Sequence, residues 1–200
     1  MKSKIGKLLI ISAPRAGSTT LTNALGDFFE VETFHEPFNK HWGSHYKENY
    51  KFSSNCIVKV MSYEKEMMTS ETSVEFLSRF SNNFEYTILL DRSNFKNQLE
   101  SYSYMRQIRY DGDWQSHYVF DESVDILRDE YYLRLQKDNI KLISKNIKSE
   151  ILYYENIYSN DEKTVIKEFN KINLDIDYNY LTKWLDSKNK LRLPKNSSII

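Results

Sequence analysis

Apolar residues come in short runs along this chain, and the spacing between them changes character. Leu8-Leu9-Ile10-Ile11 is a continuous apolar run of the length of one buried strand, placed at 7–12. Runs of the same kind occur at 56–61 (Cys-Ile-Val-Lys-Val-Met) and 86–90 (Tyr-Thr-Ile-Leu-Leu), with shorter ones at 30–34 and 150–154. Between them the apolar spacing lengthens to that of helices. The pattern predicts helices over 19–28, about 70–80, 94–107, 122–147 (long and broken), 161–171 and near 178–187. Stretches 35–53 and 108–120 are irregular and polar-aromatic. Strands separated by helices predict βαβ units. The expectation is an α/β chain, one domain over 1–200, with a central parallel sheet and helices on both faces. In such sheets ligands collect outside the carboxyl ends of the strands, so the residues following each strand carry the chemistry.

After the first strand comes Ser12-Ala13-Pro14-Arg15-Ala16-Gly17, and then Ser18-Thr19-Thr20 opens a helix with Leu21, Ala24 and Leu25 on one face. Strand, tight turn and hydroxyl-rich helix start make a cradle for an anion. The free N–H groups of the helix start converge there, and the helix dipole favours negative charge. Gly17 lets the backbone approach a ligand closely, Arg15 adds a cationic fork, and the hydroxyls add donors. The plainer alternative is a strand-to-helix turn with a hydroxyl cap.

Composition narrows the classes. Net charge is zero and the isoelectric point about 6.9, which excludes a general binder of nucleic acid or membrane surfaces. An anion site must then be a local gathering of positive groups. Cys56 is the single cysteine, so no internal disulfide forms and a reducing compartment is expected. No apolar stretch approaches the roughly 18 residues of a membrane span. The opening MKSKIGKLLIIS is too short in its apolar part for a secretory signal, and Arg15 follows it. A soluble, cytoplasmic protein is expected. Histidines 41 and 45 stand at i, i+4, the spacing of a metal pair on a helix.

Several of these segments resemble a known family. The cradle lacks the lysine of the ATP/GTP loop, G-x-x-x-x-G-K-[ST], since Ser18 follows Gly17. Its P-R-A-G-S-T-T-L instead resembles the 5′-phosphosulfate loop of sulfotransferases that use 3′-phosphoadenosine 5′-phosphosulfate (PAPS). Phe34-His35-Glu36-Pro37-Phe38 is similar to the E-P-F segment of the carbohydrate-acting and trehalose sulfotransferase types, which implies that Glu36 is the catalytic base. His35 is the rival base, because cytosolic steroid- and phenol-acting relatives use a histidine. Their histidine follows a strand lysine in K-T-H; here Lys59 matches the lysine, but Met61 stands in the histidine's place. A lysine in an apolar strand does not face a core unpaired, and an edge position reaching water is the alternative. Pro37 restricts Glu36 to extended backbone, so adjacent His35 and Glu36 are expected to point opposite ways, with one in the cleft.

Asp91-Arg92 followed by S-N-F-K-N-Q-L-E-S-Y resembles the 3′-phosphate segment of the same superfamily. The spacing from Arg92 to Ser101, with Gln98 between, is similar to the trehalose sulfotransferase pattern R-x-D-x-x-x-Q-A-x-S, with Asn94 for Asp and Leu99 for Ala. Asn94, Gln98 and Ser101 form a polar helical stripe, which in the plainer reading simply meets solvent. Ile151-Leu152-Tyr153-Tyr154-Glu155-Asn156-Ile157 resembles the family's late Y-E-D-L segment, with a structural role and Tyr154 near the adenine.

The resemblance implies a P-loop-like PAPS-dependent sulfotransferase acting on a hydroxyl of a small-molecule or carbohydrate acceptor. Arg15, Ala16, Gly17, Ser18, Thr19 and Thr20 would hold the 5′-phosphosulfate, and Arg92 with Ser101 the 3′-phosphate. Glu36, Arg15 and Lys59 would carry catalysis. His35, Phe38, Arg106, Trp114 and His117 would line an acceptor cleft, with surface decoration the alternative for the loop residues. No metal is implied, and neither nucleic acid nor membrane is an expected partner. A basic tail, K-N-K-L-R-L-P-K, could close over the nucleotide or remain solvated. Two rivals remain: a P-loop nucleotide or small-molecule kinase, with Asp91 on magnesium, and a non-catalytic nucleotide-binding module.

Overall fold

The computed structural model describes residues 5–38, 51–63, 72–111, 122–172 and 174. Five strands form one all-parallel sheet: β1 (Lys7–Ser12), β2 (Glu32–His35), β3 (Cys56–Met61), β4 (Tyr86–Asp91) and β5 (Ile151–Tyr153). Their order is β2-β3-β1-β4-β5, so the apolar run after Lys7 becomes the central strand. Side chains of β1 alternate between two cores. Leu8 and Ile10 join one cluster with α1 (Ser18–Phe29) and α6 (Glu162–Phe169), through Leu21, Ala24, Leu25, Val165 and Phe169. Leu9 and Ile11 join the other with α2 (Ser73–Phe80) and α4 (Glu122–Ile147), through Phe76, Leu77, Ile140 and Ile143. Helices thus cover both faces, which is why β1 reads as an unbroken apolar run rather than an alternating one.

α3 (Phe95–Asp111) follows β4, and a single-turn helix, α5 (Tyr154–Ile157), follows β5. The strand positions match the sequence expectation closely, β1 and β3 to the residue. Two details differ. The 26 residues of α4 form one unbroken helix, although polar Asp125, Asp129 and Gln136 interrupt its apolar stripe. These residues lie on the buried face beside Leu133, Ile140 and Ile143, so polarity there marks polar packing and not a break. α3 also continues beyond 107 to Asp111, into a stretch expected to be irregular. The helix expected near 178–187 and the basic tail lie outside the described residues. Among those residues no helix is long and apolar enough to cross a membrane.

Because all strands are parallel, their carboxyl ends share one edge. Strand order reverses around β1, with β3 on one side and β4 on the other, and this is where ligands sit in open sheets of this kind. Ala13 N–H donates to the Leu90 carbonyl at 3.0 Å and Ser62 N–H to the Ser12 carbonyl at 3.0 Å. These bonds carry the ladder past the last strand residues and anchor the loops after β1 and β3 at that edge.

Candidate functional site

The turn expected to form the cradle runs from Ser12, at the end of β1, to Ser18, the first residue of α1. Gly17 takes a left-handed conformation (φ 77°) at the start of α1, with no side chain capping the helix. The residue is constrained twice. A Cβ at Gly17 would approach the rings of Tyr154 and Tyr158 to 2.8 Å, and positive φ is itself unfavourable for a substituted residue. Arg15 is left-handed too (φ 61°) and exposed, where Ala16 is buried beneath it. Ser12 Oγ donates to Ser18 Oγ at 2.9 Å, and Thr22 Oγ1 donates to the Ser18 carbonyl. Thr19 faces out, while Thr20 is 4% exposed and its Oγ1 has no hydrogen-bond partner among the described residues. A buried hydroxyl without a partner beside an uncapped helix start fits a cradle that an anion completes.

Lys59 is not at an edge. β3 lies between β2 and β1, and Lys59 is 3% exposed, paired with the carboxylate of Glu36. Glu36 follows β2, and its N–H donates to the Lys59 carbonyl at 2.7 Å, extending the ladder. The extended backbone expected before Pro37 is not found: Glu36 has φ 49°. That left-handed turn, which costs a non-glycine residue about 1–2 kcal/mol, brings the carboxylate back to Lys59. Alternation therefore ends at His35, whose register partner is Lys59, and both residues stand against the same ammonium. His35 is half-buried, its Nδ1 has no partner among the described residues, and its pKa is lowered by burial first and by Lys59 second, with Glu36 opposing. Burial and Lys59 both favour the neutral imidazole. Phe38, expected along an acceptor cleft, is 1% exposed and stands edge-on to Phe76 and Phe80 within a core cluster.

Beyond β4, Arg92 and Ser101 occupy different surroundings. Ser101 accepts a hydrogen bond from Arg15 Nε at 3.0 Å, so the second turn of α3 reaches the cradle. Arg92 lies with its guanidinium 4.5 Å above the Tyr154 ring, and its Nε donates to Glu155 Oε1 at 3.3 Å. Asn94 caps α3 by accepting from Asn97 N–H at 3.1 Å. Gln98 is fully buried, which removes the solvent-facing reading of the polar stripe; its amide donates to the Pro14 carbonyl at 2.7 Å.

Four residues given no site role by the sequence tie these loops together. Lys137 of α4 donates to Asp91 Oδ2 (2.7 Å), the Arg92 carbonyl (2.5 Å) and Gln98 Oε1 (3.3 Å). Its one sequence signal is a lysine placed among Leu133, Ile140 and Ser144 on the buried face of a helix. Tyr158 donates its hydroxyl to the Gly17 carbonyl at 2.8 Å and packs on Tyr154 at 4.4 Å. Glu155 receives Ser93 N–H, Ser93 Oγ–H and Asn94 N–H beside Arg92. Glu168 of α6 anchors that segment by accepting from Tyr153 N–H at 2.7 Å and the Asn156 amide at 2.9 Å.

Arg106 is on α3, but its side chain lies outside the described residues, as do Trp114, His117, His41 and His45. Among the described residues no group of three or more His, Cys, Asp or Glu side chains could hold a metal ion. No protein-family model matches the chain, and no curated protein matches it.

Proposed function

We propose that the protein is a P-loop-like, PAPS-dependent sulfotransferase that moves a sulfuryl group to a hydroxyl of a small-molecule or carbohydrate acceptor. Lys59 carries this reading. A buried ammonium has three donors, yet Glu36 is its one partner among the described residues. Charged groups at that depth are ordinarily saturated, so the spare donors favour an anionic ligand at this edge. The motif resemblance of the cradle, with no Walker lysine, favours a phosphosulfate over a magnesium-bound triphosphate.

PAPS, when bound, supplies an activated sulfuryl group with a phosphate as leaving group. The rest falls to the chain. N–H groups of residues 17–20 and the Arg15 guanidinium bind the anionic end, and Arg92 the 3′-phosphate. Lys59 places positive charge beside the reacting oxygens, the kind of fixed donor worth most where water is excluded. Glu36 accepts the proton of the acceptor hydroxyl on a carboxylate oxygen. Neutral His35, against the same ammonium, is the second group able to take it.

The kinase alternative needs Asp91 free for magnesium. That carboxylate is 3% exposed and already receives Lys137, the Arg92 N–H and the Gln98 amide. A thermal-shift comparison separates the readings. The product nucleotide, 3′-phosphoadenosine 5′-phosphate (PAP), should raise the melting temperature in chelator, since a ligand of the native state stabilises it. Stronger stabilisation by magnesium-ATP would sink the sulfotransferase reading. Labelled PAPS with a panel of sugars, glycans, lipids and phenols then tests turnover; tight PAP binding with no transfer to any acceptor would leave a non-catalytic binding module.

A further inference from the structure

The Glu155 carboxylate occupies the start of α3 as an anion would. Oε2 accepts from Ser93 N–H (2.8 Å) and Ser93 Oγ–H (2.9 Å), and Oε1 accepts from Asn94 N–H (3.2 Å) and Arg92 Nε (3.3 Å). Two backbone donors just ahead of α3, the N–H groups of Ser93 and Asn94, are therefore taken by the protein's own side chain, and Asn97 N–H by Asn94. The outer edge of Arg92 faces the same place. Its Nε is held by Glu155, and its plane rests on Tyr154 at 4.5 Å. Neither terminal guanidinium nitrogen has a partner among the described residues, although the Arg92 side chain is only 14% exposed. A guanidinium held at Nε and stacked on one face has one direction left in which to bond.

We propose that Glu155 is a positioning residue for the second anion locus, clamping Arg92 so that its two terminal nitrogens are presented together to the 3′-phosphate of the nucleotide. This rests on the sulfotransferase reading above. The chemistry fits a doubly charged phosphate: a fixed planar fork takes two of its oxygens at once, and fixing the fork beforehand removes the ordering cost at binding. It also explains why an acid sits in an anion site. Glu155 offsets the guanidinium's charge when no nucleotide is bound, and it touches Arg92 at Nε, away from the binding edge.

The test is a ratio of affinities. Calorimetric titration would measure binding of PAP and of adenosine 5′-monophosphate, which lacks the 3′-phosphate, to the wild type and to Glu155→Gln. The amide cannot accept at both of its polar atoms, so the clamp loosens and Arg92 regains its rotamers. The preference for PAP should fall about three- to ten-fold, the scale of immobilising one long side chain. In an Arg92→Ala background, Glu155→Gln should change the preference no further, because the effect passes through Arg92. An unchanged ratio would mean that Glu155 merely supports the fold, and a raised ratio that it competes with the phosphate; either overturns the proposal. Should Glu155→Gln fail to fold, Glu155→Asp keeps the charged cap but withdraws it from Nε, and the same ratio decides. If the wild type binds no PAP at all, the sulfotransferase reading falls first, and that result is visible before any variant is made.

Discussion

Two lysines, Lys59 buried and Lys137 part-buried, meet carboxylates at one edge of the sheet, and they differ in how many of their donors are used. Lys137 gives its ammonium to Asp91, the Arg92 carbonyl and Gln98, three acceptors for three donors. Lys59, buried more deeply, has Glu36 alone among the described residues. The first arrangement is complete within the protein and binds α4 to the loop after β4. The second is incomplete, and it lies beside a half-buried neutral histidine and a carboxylate on a left-handed turn. Burial and ion pairing are common to both; saturation distinguishes a scaffold from a site.

The largest effect is expected at Glu36. Glu36→Gln keeps the shape but cannot take a proton, so transfer from labelled PAPS should fall by about 10²–10⁴-fold. PAP affinity should hardly move, and His35→Asn should be much milder. A dead His35→Asn beside an active Glu36→Gln would transfer the base to the histidine.

Lys137→Met should act on stability instead. It strands Asp91, 3% exposed, without its ion partner, and urea unfolding should show a loss of about 3–5 kcal/mol. An unchanged midpoint would show that the saturated pair is not structural. Lys59→Met should do the reverse. Turnover should drop about 10²–10³-fold, as for removal of one fixed donor from an oxyanion site. Stability should change little, because Glu36 is near enough to the surface, at 18% exposed, to be rehydrated.

Smaller effects sharpen the picture. Tyr158→Phe removes the hydroxyl bonded to the Gly17 carbonyl and should cost about 0.5–1.5 kcal/mol of stability by denaturant titration. A larger loss would mean that the cradle depends on this contact to keep its shape. The smallest is a pH effect at Glu155. Burial pushes its pKa up, but hydrogen bonds from Ser93 and Asn94 outweigh burial and hold it below the ordinary glutamate value. A lowered pKa in the folded state gives stability that is present above the unfolded value and lost as pH falls through the folded one. The stability gap between wild type and Glu155→Gln should therefore be full near neutrality and close in acid. A gap that does not narrow as pH falls through the lowered folded-state value would mean that the Glu155 charge is not what stabilises the α3 start.

Local pattern carried much of this. Leu8–Ile11 and Cys56–Met61 announce strands because both faces of the sheet are covered, and the glycine and hydroxyls after β1 announce the cradle. Contacts between distant side chains were not legible. Nothing near Ser101 in sequence shows that it will meet Arg15, and nothing near Glu155 shows that it will cap α3. Pro37 was a misleading sign for Glu36, because an ion pair and a ladder hydrogen bond hold a backbone angle that local sterics disfavour. Phe38 follows Glu36-Pro37 in sequence, but the packing of its apolar ring against Phe76 and Phe80 depends on residues about forty positions away.

The central place of β1 has a consequence for the chain while it is being made. Its first partner begins at Cys56 and its second at Tyr86. A polypeptide emerging amino end first thus holds its most apolar strand open on both edges until Met61 is out, and on one edge until Asp91 follows. Pairing across such separations is slow to form, and unpaired apolar edges are adhesive in the meantime. An interrupted synthesis would leave a ribbon prone to clumping and not a weakened cradle, since the loop after Ser12 is shaped by strands that arrive later. Whatever shelters the nascent chain has to cover Leu8–Ile11 until those strands appear.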